Sequence, residues 1–226
     1  MAILQKVVCM VVMTIILASS AGERSYWSFD DVAPGSIPPG WMSESTGKDS
    51  VLALFRVERD TTHGKGKKEN RILEVSGYKS SADYKDNHLC WTNSVSFEDG
   101  TIEADARVVS DSNAYGGGIA WRIKDKNNYY SLRFSCKEGN LNVFKIVDAK
   151  RSTIGKVSRP FNLSTWYHMK ITISGSTFFA SVDGKDALTV RDSSITGAGG
   201  VGVFQRANAT KGMWDNFSVI LANTVK

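Results

Sequence analysis

Thr101-Ile-Glu-Ala-Asp-Ala-Arg-Val-Val109 alternates with period two. Ile102, Ala104, Ala106 and Val108 fall on one side of an extended chain, and Glu103, Asp105 and Arg107 on the other. That is the pattern of a strand with one face on a core and one toward water. Working outward, Gly118–Ile123, the polar turn Lys124–Asn128 and Tyr129–Ser135 read as a long hairpin. Leu141–Ile146, Trp166–Ile173, Phe178–Val182, Ala187–Val190, Gly199–Gln205 and Met213–Ile220 repeat the short β-rich pattern, as do Val51–Glu58 and Arg71–Val75 upstream. Asp183-Gly184 is a strong two-residue hairpin signal, because both central residues tolerate positive φ. No segment after the N-terminal stretch carries a capped helical stripe. About eleven short strands with regular turns predict an all-β sandwich or barrel.

The remaining sequence bounds the protein's setting. The chain has 226 residues, 42% hydrophobic and 23% charged, which excludes a disordered chain and allows a sizeable core. Lys6, the apolar run Val7–Ala18 and the small residues Ser19 and Ala21 read as a signal peptide over 1–21, cleaved after Ala21. An uncleaved N-terminal anchor is the other reading. The expected product is one secreted or periplasmic domain over 22–226, with no membrane association after processing. Removing 1–21 takes away one lysine and no acid, lowering the net charge from +5 to +4. Nucleic acid is not an expected partner, since no basic aromatic-lined motif is present. The basic stretch His63–Arg71 reads as a solvated loop, or as a contact for an acidic polysaccharide or membrane surface. Cys90 and Cys136 remain after cleavage; in an oxidising compartment they form a disulfide, or else stand as two buried thiols.

Four segments resemble the concanavalin A-like lectin/glucanase superfamily. Trp27-Ser-Phe-Asp-Asp31 with Pro38-Pro-Gly-Trp41 looks like its opening strand and turn. Gly116–Tyr130 is similar to its central hairpin, Trp166–Lys170 through Asp183-Gly-Lys185 to a strand pair, and Gly199–Val203 through Trp214–Phe217 to its final strands. The nearest branches are laminin-G-like and 3-keto-disaccharide-hydrolase-like domains, the latter of glycoside-hydrolase-16 type. The resemblance implies a two-sheet antiparallel jelly roll. It does not fix a function, because that fold hosts lectins, hydrolases, lyases and interaction modules.

The glucanases of that superfamily carry Glu-x-Asp-x-Glu, or a bulged version, on one strand. Glu103-x-Asp105 matches its start, but Arg107 and Val108 occupy the two places for the third carboxylate. A cation there cannot protonate a leaving oxygen, so the sequence leans away from that enzyme. A lectin-like, carbohydrate-binding or cell-envelope role comes first, with a glycan or polysaccharide partner. A glycoside-processing hydrolase or lyase comes second, and a structural exported domain third. Sugar sites combine an aromatic platform with planar hydrogen-bonding groups. If Ile119, Trp121 and Ile123 face the core, Arg122, Tyr129 and Arg133 share the other sheet face, with Arg107 and Glu103 joining from a neighbouring strand. Asp30, Asp31 and Asp215 form a candidate structural calcium site if the first and last strands pair, or are turn and strand-end carboxylates.

Overall fold

The computed structural model describes residues 22–47, 53–63, 69–76, 87–109, 116–206 and 211–223. The signal peptide expected over 1–21 and the loop residues 64–68 lie outside the described residues.

Fifteen strands are described: β1 (Arg24–Trp27), β2 (Trp41–Ser45), β3 (Leu54–Asp60), β4 (Asn70–Ser76), β5 (Asn87–Phe97), β6 (Gly100–Val109), β7 (Gly117–Asp125), β8 (Asn128–Ser135), β9 (Asn140–Val147), β10 (Lys150–Ser158), β11 (Tyr167–Ser174), β12 (Thr177–Val182), β13 (Lys185–Arg191), β14 (Gly199–Arg206) and β15 (Lys211–Leu221). The first sheet runs β13-β12-β11-β6-β15-β4-β3, with β1 also paired to β15. The second runs β10-β9-β8-β7-β14-β5-β2. Non-local pairings dominate both sheets, as expected of a jelly roll.

Between the sheets lies one core. From the first it takes Ile102, Ala104, Ala106, Val108, Met169, Ile171, Trp214 and Phe217; from the second, Ile119, Trp121, Tyr130, Leu132, Phe134, Val201 and Val203. The β6 alternation therefore holds, with its four apolar side chains buried and its charged ones turned outward. The second sheet is unusual in being apolar on its outer face too: Leu89, Ala120, Ile123, Tyr129, Phe144, Ile146 and Phe204 form a second buried cluster there.

Two expectations fail in the second sheet. Arg122 has φ of 48° and sits in a bulge: the β7–β8 ladder passes from Trp121↔Tyr130 straight to Asp125↔Asn128. The extra residues reset the alternation. Ile119 and Trp121 face the main core, but Ile123 joins the outer cluster and Arg122 turns inward, its guanidinium 5.8 Å from the centre of the Phe178 ring. The expected disulfide does not form either: Cys90 and Cys136 are free thiols. Cys90 lies within β5 and Cys136 just past β8, and β7 and β14 stand between those strands. Three strand spacings separate them by about 14 Å, whereas bridged Cα atoms lie within about 7 Å. Burial pushes the Cys90 thiol well up and that of Cys136 up to about 11.

Candidate functional site

Of the residues proposed as one ligand face, only Tyr129 and Arg133 lie on the same outer sheet face. Tyr129 is fully buried in the outer cluster, its hydroxyl 2.9 Å from Thr46 Oγ1, so it offers no platform to a ligand. Arg122, 3% exposed, works as a staple at one end of the sandwich. Its Nε donates to Glu98 O (3.1 Å), Nη1 to Ile195 O (3.2 Å), and Nη2 to Asp99 Oδ1 (3.0 Å) and Gly175 O (2.6 Å). Glu103 and Arg107 belong to β6, in the other sheet, and face the opposite side of the molecule. They do not join Arg133.

What does gather around Arg133 is a set the sequence reading missed. An open groove of about 500 Å³ is lined by Arg133, Glu138, Asn140, Asn142, Phe144, Arg151, Thr153, Lys156 and Arg206. Register explains the assembly. Arg133 on β8 is opposite Asn142 on β9, which is opposite Lys156 on β10, so these three form one row across the sheet. The next row along β9 places Phe144 opposite Ser131 and Thr153. Arg206 arrives at the end of β14, and Glu138 from the turn between β8 and β9.

Within the groove, Glu138 takes a charged hydrogen bond from Arg133 Nη2 and lies 3.5 Å from Arg206 Nη1. Partial burial raises its carboxyl, but Arg133 and Arg206 outweigh that and hold it below the ordinary carboxylate range. The Phe144 ring is flanked by two guanidinium groups, Arg133 at 5.1 Å and Arg151 at 4.9 Å from its centre. Arg151 Nη1 donates to Asn87 Oδ1 (3.2 Å), and Asn142 Nδ2 donates to Asn140 Oδ1. Asn140 and Asn142 are each 3% exposed. The groove is thus a preorganised array of donors with few rotamers left to freeze, which favours binding of a polar ligand.

The opposite face carries a different constellation, on Asp105. Its Oδ1 is 2.7 Å from His168 Nδ1, and its Oδ2 is 2.8 Å from both His63 Nε2 and Asn216 Nδ2. Trp166 stacks on His63, with ring centres 4.2 Å apart. His63 and His168 therefore meet on one carboxylate. Partial burial raises Asp105, but the hydrogen bonds from His168, Asn216 and His63 outweigh it and lower its pKa. The hydrogen bond to Asp105 raises His168 against the effect of its partial burial. A carboxylate-held imidazole is a base geometry. On the same face Glu103 is ion-paired to Lys170 (3.3 Å) and Arg107 donates to Thr62.

This constellation predicts a pH signature. Asp105, depressed below 3.8, contributes stability above that pH and loses it as pH falls through its folded value. His168, raised above 6.5, contributes below that pH and loses it as pH rises through its folded value. The pair therefore stabilises most between about pH 4 and 6.5. His168→Ala should cost roughly 0.5 kcal/mol at pH 5, reduced by solvent screening, and less at pH 8. Urea midpoints of both proteins at the two pH values check this; an equal gap at both would contradict it.

The calcium expectation is corrected. β1 and β15 do pair, Trp27 opposite Phe217, but the carboxylates have separate employments. Asp30 accepts from Arg71 N (3.0 Å), while buried Asp215 accepts from Asn70 Nδ2 (3.2 Å) and Asn216 N (2.7 Å). Asp31 is exposed. Among the described residues no group of three or more His, Cys, Asp or Glu side chains is placed to hold a metal ion. The donor set does not fit calcium, which wants six to eight oxygens.

No protein-family model matches the chain, and no curated protein matches it in sequence. Solved structures do match in fold. The carbohydrate-binding module CBM66 from Bacillus subtilis superposes with a TM-score of 0.60 at 19% identity, over 80% of this chain and 95% of that one. The cellulose-induced protein Cip1 gives 0.61 at 13% identity, over 88% and 97%. A Bacillus licheniformis β-glucanase gives 0.57 at 9% identity, over 89% and 99%. The chain has the fold of a concanavalin A-like jelly-roll sandwich. That fold is shared by carbohydrate-binding modules and glycoside hydrolases alike. Among the described residues no helix is long and apolar enough to cross a membrane.

Proposed function

We propose that residues 22–226 are a single exported glycan-binding domain whose ligand lies in the groove on the outer face of the second sheet. The observation that carries this reading is the row Arg133, Asn142, Lys156, flanked by Glu138, Arg151 and Arg206, on an apolar sheet face. Buried amides and forked guanidinium groups at fixed spacing match the vicinal hydroxyls of a sugar. The fold supports the reading without deciding it.

Affinity electrophoresis of the full chain in gels containing soluble polysaccharides tests it. At least one polysaccharide should retard the protein, and Asn142→Ala should weaken that retention about tenfold, the effect of losing one to two good hydrogen bonds. Glu103→Ala, on the opposite face, should leave retention unchanged. Equal retention of wild type and Asn142→Ala, or loss of it in Glu103→Ala, would move the site elsewhere.

A further inference from the structure

We propose that the groove takes an acidic glycan, with a carboxylate or sulfate substituent seated among Arg151, Arg206 and Arg133. This rests on the glycan reading above and names the class of sugar.

Charge is the first argument. Four cationic side chains line the groove, Arg133, Arg151, Lys156 and Arg206, against the single carboxylate of Glu138. That carboxylate is already engaged by Arg133 and Arg206. Among the described residues Arg151 and Lys156 form no ion pair with a carboxylate; Arg151 donates to the neutral amide of Asn87 and lies against the Phe144 ring, and Glu138 acts on it only from beyond ion-pair distance. Partial burial, with repulsion from Arg206 and Arg133, lowers the Arg151 guanidinium to about 10. An anion placed there would counter both the burial and the repulsion, because opposite charge favours the ionised form that burial disfavours.

Aromatic geometry is the second argument. A neutral pyranose is usually held by stacking its apolar face on an open ring. The groove's one aromatic residue, Phe144, is 5% exposed and lies against two guanidinium groups. A ligand entering the groove therefore meets guanidinium planes and amides before it meets a ring. Paired N–H donors of a guanidinium fork match a carboxylate or sulfate edge.

The test is isothermal titration of the full chain with matched oligosaccharides: oligogalacturonate against its methyl ester, a sulfated chondroitin oligosaccharide against its desulfated form, and neutral laminari-oligosaccharides. The acidic member of at least one pair should bind about tenfold or more tightly than its neutralised partner, the effect of one or two charge-assisted hydrogen bonds. Which pair shows the gap tells carboxylate from sulfate. Arg151→Gln with Arg206→Gln should abolish the gap, so that the acidic and neutralised members of the pair bind within about twofold of each other. Lys156→Gln, at an exposed position that the fold does not need, should narrow the gap without changing the unfolding midpoint. Equal affinity within every pair, or a gap that survives both sets of substitutions, would overturn the acidic assignment and leave the glycan site standing. Inorganic sulfate binding as tightly as the sulfated sugar would do the same. No binding by any oligosaccharide would overturn both.

Discussion

Arg122→Ala should lower the unfolding free energy by about 3 kcal/mol or more. The side chain ties three connections together: the β5–β6 turn through Glu98 and Asp99, the β11–β12 turn through Gly175, and the β13–β14 connection through Ile195. Truncation leaves three carbonyl groups without their donor; the loss at buried Ile195 costs roughly 1–3 kcal/mol, the part-buried losses at Glu98 and Gly175 cost less each, and the contact with Phe178 goes as well. Asp99 adds less, since its side chain is 38% exposed and can be hydrated. Lysine keeps the charge but not the fork, so Arg122→Lys should recover less than half of the loss. Urea unfolding at pH 7 reads both variants. A shift below about 1 kcal/mol for Arg122→Ala would mean that the staple is ornamental. The same variant, once folded, should keep its glycan affinity, because Arg122 faces inward and the groove does not include it.

Gly202→Ala should be at least as damaging. β14 lies between β7 and β5 in the second sheet. A Cβ at Gly202 would stand 2.3 Å from Cys90 O and 2.5 Å from Trp91 Cα, both backbone atoms of β5. No rotamer change relieves such a clash, so β5 must move away and its ladder to β14 must loosen. Overpacking typically costs about 1–3 kcal/mol, and a clash with backbone rather than side-chain atoms puts this one at the upper end or beyond. Gly139 separates steric need from conformational need: it has φ of 58° and open space around its missing Cβ. Gly139→Ala should cost only about 1–2 kcal/mol, from the left-handed backbone alone. Thermal unfolding of the two variants side by side gives the ranking; a Gly202→Ala protein as stable as Gly139→Ala would show that β5 yields easily.

The fold was legible because most strands keep one apolar face. β6 is the clearest instance, with Ile102, Ala104, Ala106 and Val108 at 1% exposure or less. The strands that escaped the pattern did so for opposite reasons. β5 is buried along most of its length, so His88, Leu89, Cys90 and Trp91 show no alternation of polarity. β10 is an edge strand exposed on much of its surface, and Lys150-Arg-Ser-Thr-Ile-Gly-Lys156 carries too few apolar residues to register. The site was less legible. Period two put Arg133 on the outer face correctly, but one bulge reversed Arg122 and Ile123, and no periodicity argument sees a bulge. Arg151 and Arg206 are brought to Arg133 by strand order, which local patterns do not contain. Asn140 and Asn142 carried a usable signal: two amides at alternate positions of a largely apolar strand, where burial demands a partner. Asp105 was read as one member of a charged stripe, and the meeting of His63 with His168 upon it depends on a loop and a neighbouring strand.

Cys90 and Cys136 remain thiols on separate strands, too far apart for either to capture the other. This sandwich therefore owes no part of its stability to cross-linking between them, and its assembly calls for neither an oxidant nor an isomerase at that pair. A glutathione-rich interior and an oxidising exterior should yield the same architecture.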